Sequence, residues 1–216
     1  MMSKVNRRST EVQALLIRFV AMLGTLVLGL APMAAWPQAS YMERYATTCT
    51  TCHGPQGTSV TALTPSLGGQ PSFYAITQLF LFRDGRRTDG LLSPAMSAIA
   101  KGMSDDDLRG FSDHISTLPA PVEAVASDPL RTARGAALAT KLHCAGCHGA
   151  VYDGGKQVPH LAGQREDYLL QALQGFRSGK RVGYTPAMSE ALVGVAPVEL
   201  VDLAHYLATF AAPGKP

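Results

Sequence analysis

Cys49, Cys52 and His53 form the pattern C-x-x-C-H, and Cys144, Cys147 and His148 form it again about ninety residues later. Each copy is followed by a glycine, Gly54 or Gly149. This spacing suits one chemistry in particular. Two thiols three positions apart can each add to a vinyl group on one edge of a porphyrin, and the adjoining imidazole then lies under the ring and ligates its iron. The pattern therefore predicts two covalent c-type haems, with His53 and His148 as proximal iron ligands. All four cysteines of the chain are used in these two motifs.

Two other uses of paired cysteines compete with this one. A zinc site needs four ligands from converging elements, which two C-x-x-C units could supply together. A redox dithiol needs a strand-to-helix setting. The two motifs, however, occupy equivalent places in a duplicated sequence, which predicts two like sites and not one shared site. No alternating strand pattern of useful length accompanies them.

The duplication is extensive. PSLGGQPSFY (65–74) matches PHLAGQREDY (159–168), FRDGRR (82–87) matches FRSGKR (176–181), and SPAMSAIA (93–100) matches TPAMSEAL (185–192). The repeat supplies a sixth ligand by elimination. After residue 39 the second half has a single methionine, Met188, and its repeat partner is Met96 in the same Pro-Ala-Met tripeptide. The His-to-Met separations are 43 and 40 residues, which predicts similar loops folding over one face of each ring. Met42 and Met103 have no counterpart and are expected to pack. His114, His143, His160 and His205 have no histidine at the repeat position and are expected on the surface or in the core.

The elements that hold these groups read as helices. Leu108, Phe111, Ile115 and Leu118 share one helical face, and Leu200, Leu203, Leu207 and Phe210 repeat that spacing, giving each half a closing helix. Leu169, Leu170, Leu173 and Phe176 mark a further amphipathic helix, matched by Ile76, Leu79 and Phe80. Ser104 before Asp105, Asp106 and Asp107 reads as an N-cap with acids at the positive end of the dipole. Asp128-Pro129 opens another helix before the second motif. Between the halves, LPAPVEAVASDP (118–129) is rich in Pro and Ala and reads as a linker. The expected organisation is an all-α chain with a domain at 40–118, a linker at 119–128 and a second domain at 129–216.

Residues 1–39 are set apart. Lys4, Arg7, Arg8 and Arg18 precede an uncharged apolar run at 19–35, the pattern of an export signal or an N-terminal anchor. Beyond residue 39 the chain carries 15 Lys+Arg and 15 Asp+Glu, so its basic excess belongs to the leading segment. That balance gives no basic face for nucleic acid.

Both C-x-x-C-H motifs, the Pro…Gly-Gln segments, the Phe-Arg-x-Gly-Arg/Lys-Arg pair and the two Pro-Ala-Met tripeptides together resemble the two-haem cytochrome c4 family, tandem class I cytochrome c domains. The resemblance covers roughly residues 40–216. It implies a small helical wrap around each haem, with the haems close together across the domain interface. It further implies Pro65 and Pro159 as residues whose carbonyls meet the second nitrogen of the ligand histidines. Of the basic residues around Gly85 and Gly179 (Arg83, Arg86, Arg87, Arg177, Lys180, Arg181), at least one per repeat would pair with a haem propionate or sit at the domain interface, the alternative being a solvated basic turn. Tyr74 and Tyr168 would donate to propionates or pack.

The implied function is single-electron transfer in the periplasm, not catalysis. The partners would be redox proteins: a cytochrome bc complex as donor, and a terminal oxidase or a dehydrogenase. The alternatives are a cytochrome subunit of a flavocytochrome- or quinoprotein-type dehydrogenase and, less favoured by two methionine ligands, a dihaem peroxidase. One departure stands out. TARGAALATKL before the second motif places Gly135 to meet Tyr206, whereas SYMERYATT before the first has no glycine, so a short or altered first helix is expected.

Overall fold

Among the described residues, Ser40 starts the first helix with a reciprocal cap. Its hydroxyl accepts from the Glu43 N–H (3.3 Å), and the Glu43 carboxylate accepts from the Ser40 N–H (2.7 Å). In the computed structural model, which describes residues 39–121, 126–181 and 185–211, this helix is α1, Tyr41–Thr48. The rest of the first half is α2 (Thr50–His53), α3 (Ser72–Arg83), α4 (Ser93–Ala100) and α5 (Asp105–Thr117). The second half repeats the order with α6 (Pro129–Lys141), α7 (Cys144–His148), α8 (Glu166–Arg177), α9 (Ala187–Ala191) and α10 (Pro197–Ala208). Among the described residues there is no strand, only a single bridge between Gly155 and Val158. The leading segment, except residue 39, and linker residues 122–125 lie outside the described residues.

The expected caps are present. Ser104 and Asp107 cap α5 reciprocally, and the Asp128 carboxylate accepts from the Leu130 and Arg131 N–H groups at the start of α6 (2.9 and 3.2 Å). Two apolar clusters follow from the helical faces. Tyr45, Leu79, Leu108, Phe111 and Ile115 build the first, where α5 packs on α3 and α1. Leu138, Leu169, Leu173, Leu200, Leu203 and Leu207 build the second, where α10 packs on α6 and α8.

The first helix is shorter than its counterpart, 8 residues against 13. In the second half Gly135 of α6 lies against Asp202 and Tyr206 of α10, where an added Cβ would fall 2.5 Å from the Tyr206 Cβ. In the first half the roles are exchanged: Gly110 of the closing helix α5 receives the ring of Tyr41 from α1. Tyr41 also stacks edge-on against Phe111 (5.2 Å).

His205 is a core histidine. Its Nε2 accepts from the Asp128 N–H (2.9 Å), so Nδ1 carries the proton and donates to the Glu166 carboxylate (2.8 Å). It ties the start of α6 to α8 and α10.

Candidate haem sites

Each C-x-x-C-H motif coils into one helical turn, which sets its two thiols side by side at one edge. Cys49 and Cys144 are half-buried, Cys52 and Cys147 are exposed, and none of the four is in a disulfide. The glycine after each histidine ends the turn with positive φ, 79° at Gly54 and 84° at Gly149. A side chain at Gly54 would overlap the Thr58 carbonyl. Burial pushes the Cys49 thiol up to about 11, with the neighbouring Cys52 adding to the effect. A redox-active dithiol needs the opposite shift. Among the described residues no three His, Cys, Asp or Glu side chains converge as a zinc set would.

His53 and His148 are both 5% exposed. Nδ1 of His53 lies 2.9 Å from the Pro65 carbonyl oxygen, and Nδ1 of His148 lies 3.2 Å from that of Pro159. A carbonyl can only accept, so Nδ1 is the protonated nitrogen in both rings, and each Nε2 keeps its lone pair for a metal. Burial lowers both imidazole pKa values and keeps the rings neutral; around His53 the nearby Arg87 acts in the same direction.

The Pro-Ala-Met segments are not loops. Met96 lies on α4 and Met188 on α9, short helices that begin at proline: Pro94 sits in the first turn of α4, and Pro186 is the capping residue just before α9. Both methionines are half-buried. Met96 and Cys49 border the same first-half cluster, and Met188 and Cys144 border the second-half one. Each half thus collects two thiols on one turn, a neutral imidazole with a free Nε2, and a thioether at the edge of the same apolar cluster. This donor set fits a covalent haem.

The surface where the halves meet is built from repeat-related pairs. The Gln164 side chain accepts from the Ser66 N–H and donates to the Ser66 carbonyl, both at 2.8 Å. The Gln70 side chain donates to the His160 carbonyl (2.8 Å) and accepts from the His160 N–H (3.2 Å). Gln70 is the repeat partner of Gln164, and Ser66 of His160, so each half holds the other's backbone with the same side chain. Sequence reasoning noted these glutamines only as repeated letters; a polar Gln in an apolar repeat segment is the signal that marks them.

Of the repeated basic residues, Arg87 and Arg181 are buried between the halves (6% and 5% exposed). Both donate to the Tyr168 hydroxyl, at 2.8 and 3.1 Å. Those two guanidiniums push the Tyr168 phenol down to about 8 against the opposing effect of burial. Tyr74 faces Arg181 from the other half. Arg83 and Arg177 instead bond the carbonyls of Met103 and Val195 within their own halves, and Arg86 and Lys180 are exposed.

Two tandem helical wraps of this kind define class I cytochrome c domains. The cytochrome c family model matches residues 43–119 and 132–211. A cytochrome c4 of Pseudomonas aeruginosa is 30% identical over 194 residues, 84% of this chain and 94% of that relative. A thiosulfate dehydrogenase electron acceptor of Stutzerimonas stutzeri is 31% identical over 176 residues, 75% of this chain and 80% of the relative. Among solved structures, reduced recombinant cytochrome c4 from Pseudomonas stutzeri aligns with a TM-score of 0.70 at 25% identity, covering 79% of this chain and 97% of that one. The chain belongs to the two-haem cytochrome c4 family. It carries two covalent c-type haems, one on each tandem segment.

Proposed function

We propose that this protein is a periplasmic electron carrier that accepts and delivers single electrons and catalyses no reaction of its own. The observation that supports this most directly is the committed geometry of both histidines. Each Nδ1 is engaged by a proline carbonyl and each Nε2 is free, while a methionine borders the same cluster. In this reading Cys49 and Cys52, and Cys144 and Cys147, form the thioethers. His53 with Met96, and His148 with Met188, would hold the two haem irons, the histidines being oriented through Pro65 and Pro159.

When bound, the haems supply the one-electron ferric/ferrous couple. The chain's own residues set its conditions. A methionine thioether and a neutral imidazole together would occupy the iron's protein-ligand positions, which favours outer-sphere transfer over substrate binding and argues against a peroxidase. The apolar clusters would exclude water from a bound haem, and the glutamine clasps hold the two halves in register for transfer between sites. The family-model boundaries support domains at 40–118 and 129–216 with a linker at 119–128.

Partners are redox proteins: a cytochrome bc complex as donor and a terminal oxidase as acceptor. A second reading, a dedicated acceptor for a dehydrogenase, is favoured by the relative named a thiosulfate dehydrogenase electron acceptor. Stable co-purification with a dehydrogenase would decide for it. Export is carried by residues 1–39, as a cleaved signal or a retained anchor; cell fractionation with the N-terminal mass of the native protein distinguishes these. Among the described residues no helix is long and apolar enough to cross a membrane.

The deciding experiment is a spectroscopic redox titration of the native protein and Met188→Ala. Two low-spin one-electron steps in the native protein, with sulfur ligation lost at one haem in the variant, are expected. A Met188→Ala spectrum identical to the native one would overturn the ligand assignment.

A further inference from the structure

Several side chains at the surface between the halves come in repeat-related pairs, Gln70 with Gln164, Tyr74 with Tyr168 and Arg87 with Arg181, and such pairs give both haems like surroundings. The unpaired contacts there, Asp167 with the Leu63 N–H, Arg165 with the Ser59 carbonyl and Gln171 with the Leu91 N–H, reach backbone groups. Asp89 breaks this pattern. Its side chain is 2% exposed, and its Oδ2 accepts from Arg181 of the other half at 2.9 Å. Its Oδ1 faces Arg87 Nε at 3.5 Å, and neither atom has a hydrogen-bond partner among the described residues. Gly175 on α8 packs beside this pair: a Cβ there would lie 3.0 Å from the Arg181 Cβ and in contact with the Asp89 carboxylate at 3.4 Å. The second half has no equivalent acid. Arg87 is followed by Thr88 and Asp89, whereas Arg181 is followed by Val182, Gly183, Tyr184 and Thr185. One other ion pair at this surface, Arg165 with Asp167, also lacks a repeat partner, but it is internally neutral (2.8 Å) and partly solvated.

We propose that Asp89 is a positioning and tuning residue that makes the two haems unequal, by placing one buried negative charge, from one half only, against both interface arginines. The inference rests on the dihaem electron-carrier reading. The physical reason is direct. Reduction adds negative charge to a haem, so a buried carboxylate disfavours the ferrous state, and in a poorly screened setting one charge shifts such an equilibrium about tenfold. A charge contributed asymmetrically, bonded at 2.9 Å to one guanidinium and 3.5 Å from the other, acts unequally on the two sites.

The test is a spectroelectrochemical titration of the purified dihaem protein, native and Asp89→Asn, with haem content per chain and low-spin spectra measured first. Asp89→Asn is expected to favour the ferrous state of one haem by about tenfold, which is about 59 mV for a one-electron couple, and of the other by distinctly less. Asp89→Glu, which keeps the charge, should leave both midpoints within twofold, about 18 mV, of the native values. The proposal is overturned if Asp89→Asn leaves both midpoints within twofold or moves both equally, whatever happens to thermal stability. Should Asp89→Asn fail to accumulate, Asp89→Ser removes the same charge and is held to the same outcomes. A native content of one haem or none would overturn the dihaem reading as well, whereas two haems with an unmoved pair of midpoints would overturn only the role of Asp89.

Discussion

Gly110 and Tyr41 meet across α5 and α1 with no room for a methyl group between them: a Cβ on Gly110 would overlap the Tyr41 ring. The second half solves the same crossing with the glycine on the other helix, Gly135 against Tyr206 and the Asp202 backbone. Close helix approach needs one residue without a side chain, and either helix can provide it.

Gly110→Ala and Gly135→Ala should therefore both destabilise, but unequally. At Gly110 the obstacle is a side-chain ring, and the cost should be about 1–2 kcal/mol after the gain in helix propensity. At Gly135 the obstacle includes the Asp202 carbonyl, which cannot rotate away, and about 3 kcal/mol is expected. Thermal unfolding of both variants checks the order; a milder Gly135→Ala would contradict it.

Gln164→Ala removes two buried hydrogen bonds to the Ser66 backbone and leaves that N–H and carbonyl without them. A loss of about 2 kcal/mol is expected. Limited proteolysis near the linker, at residues 119–128, should accelerate, because two of the three Gln164 bonds hold the halves together; the third, from the Arg165 N–H at 3.0 Å, lies within its own half.

Asp107 governs part of the acid response. Its carboxyl accepts from Arg44 and from the Ser104 N–H, and these bonds hold its pKa well below the usual carboxylate range against a smaller opposing effect of burial. The folded value is the depressed one, so its stabilisation is fully present above the unfolded pKa, about 4. That stabilisation fades as the pH falls through the folded value. Asp107→Asn should lower stability at neutral pH by about 1–2 kcal/mol and flatten the decline of melting temperature below about pH 4.

Met96 and Met103 both border the first-half cluster. Met96→Ala should convert one haem from methionine ligation, with loss of the sulfur-ligation band and a fall in its midpoint. Met103→Leu should leave visible spectra and midpoints unchanged. An optical change confined to the Met103 variant would reverse the assignment.

Much of this arrangement is legible in local sequence. The C-x-x-C-H turns, the helical faces of α5 and α10, the Ser104 and Asp128 caps and the short α1 are decided by residues within a turn or two of each other. What escaped reading depends on distant parts meeting. Placing Met96 and Met188 on helices requires weighing Pro at a helix start against its reputation as a loop former. The exchange of glycine between α5 and α1 is invisible until the crossing is seen, because Gly110 has no glycine at its repeat position. The Gln70 and Gln164 clasps depend on how the halves face each other, which no periodicity encodes. The pairing of Arg87 and Arg181 through Tyr168 and Asp89 escapes for the same reason.

The paired clasps also say something about origin. When Gln70 grips the His160 backbone in Gln164's own segment and Gln164 grips the Ser66 backbone in Gln70's, the joint has the form of a two-fold dimer drawn into one polypeptide. Either domain alone would display a face suited to its own copy. The tether between the domains then matters less for creating that union than for making it permanent and independent of concentration. It also frees each partner to acquire differences, such as a lone acid, that a true homodimer would be forced to duplicate.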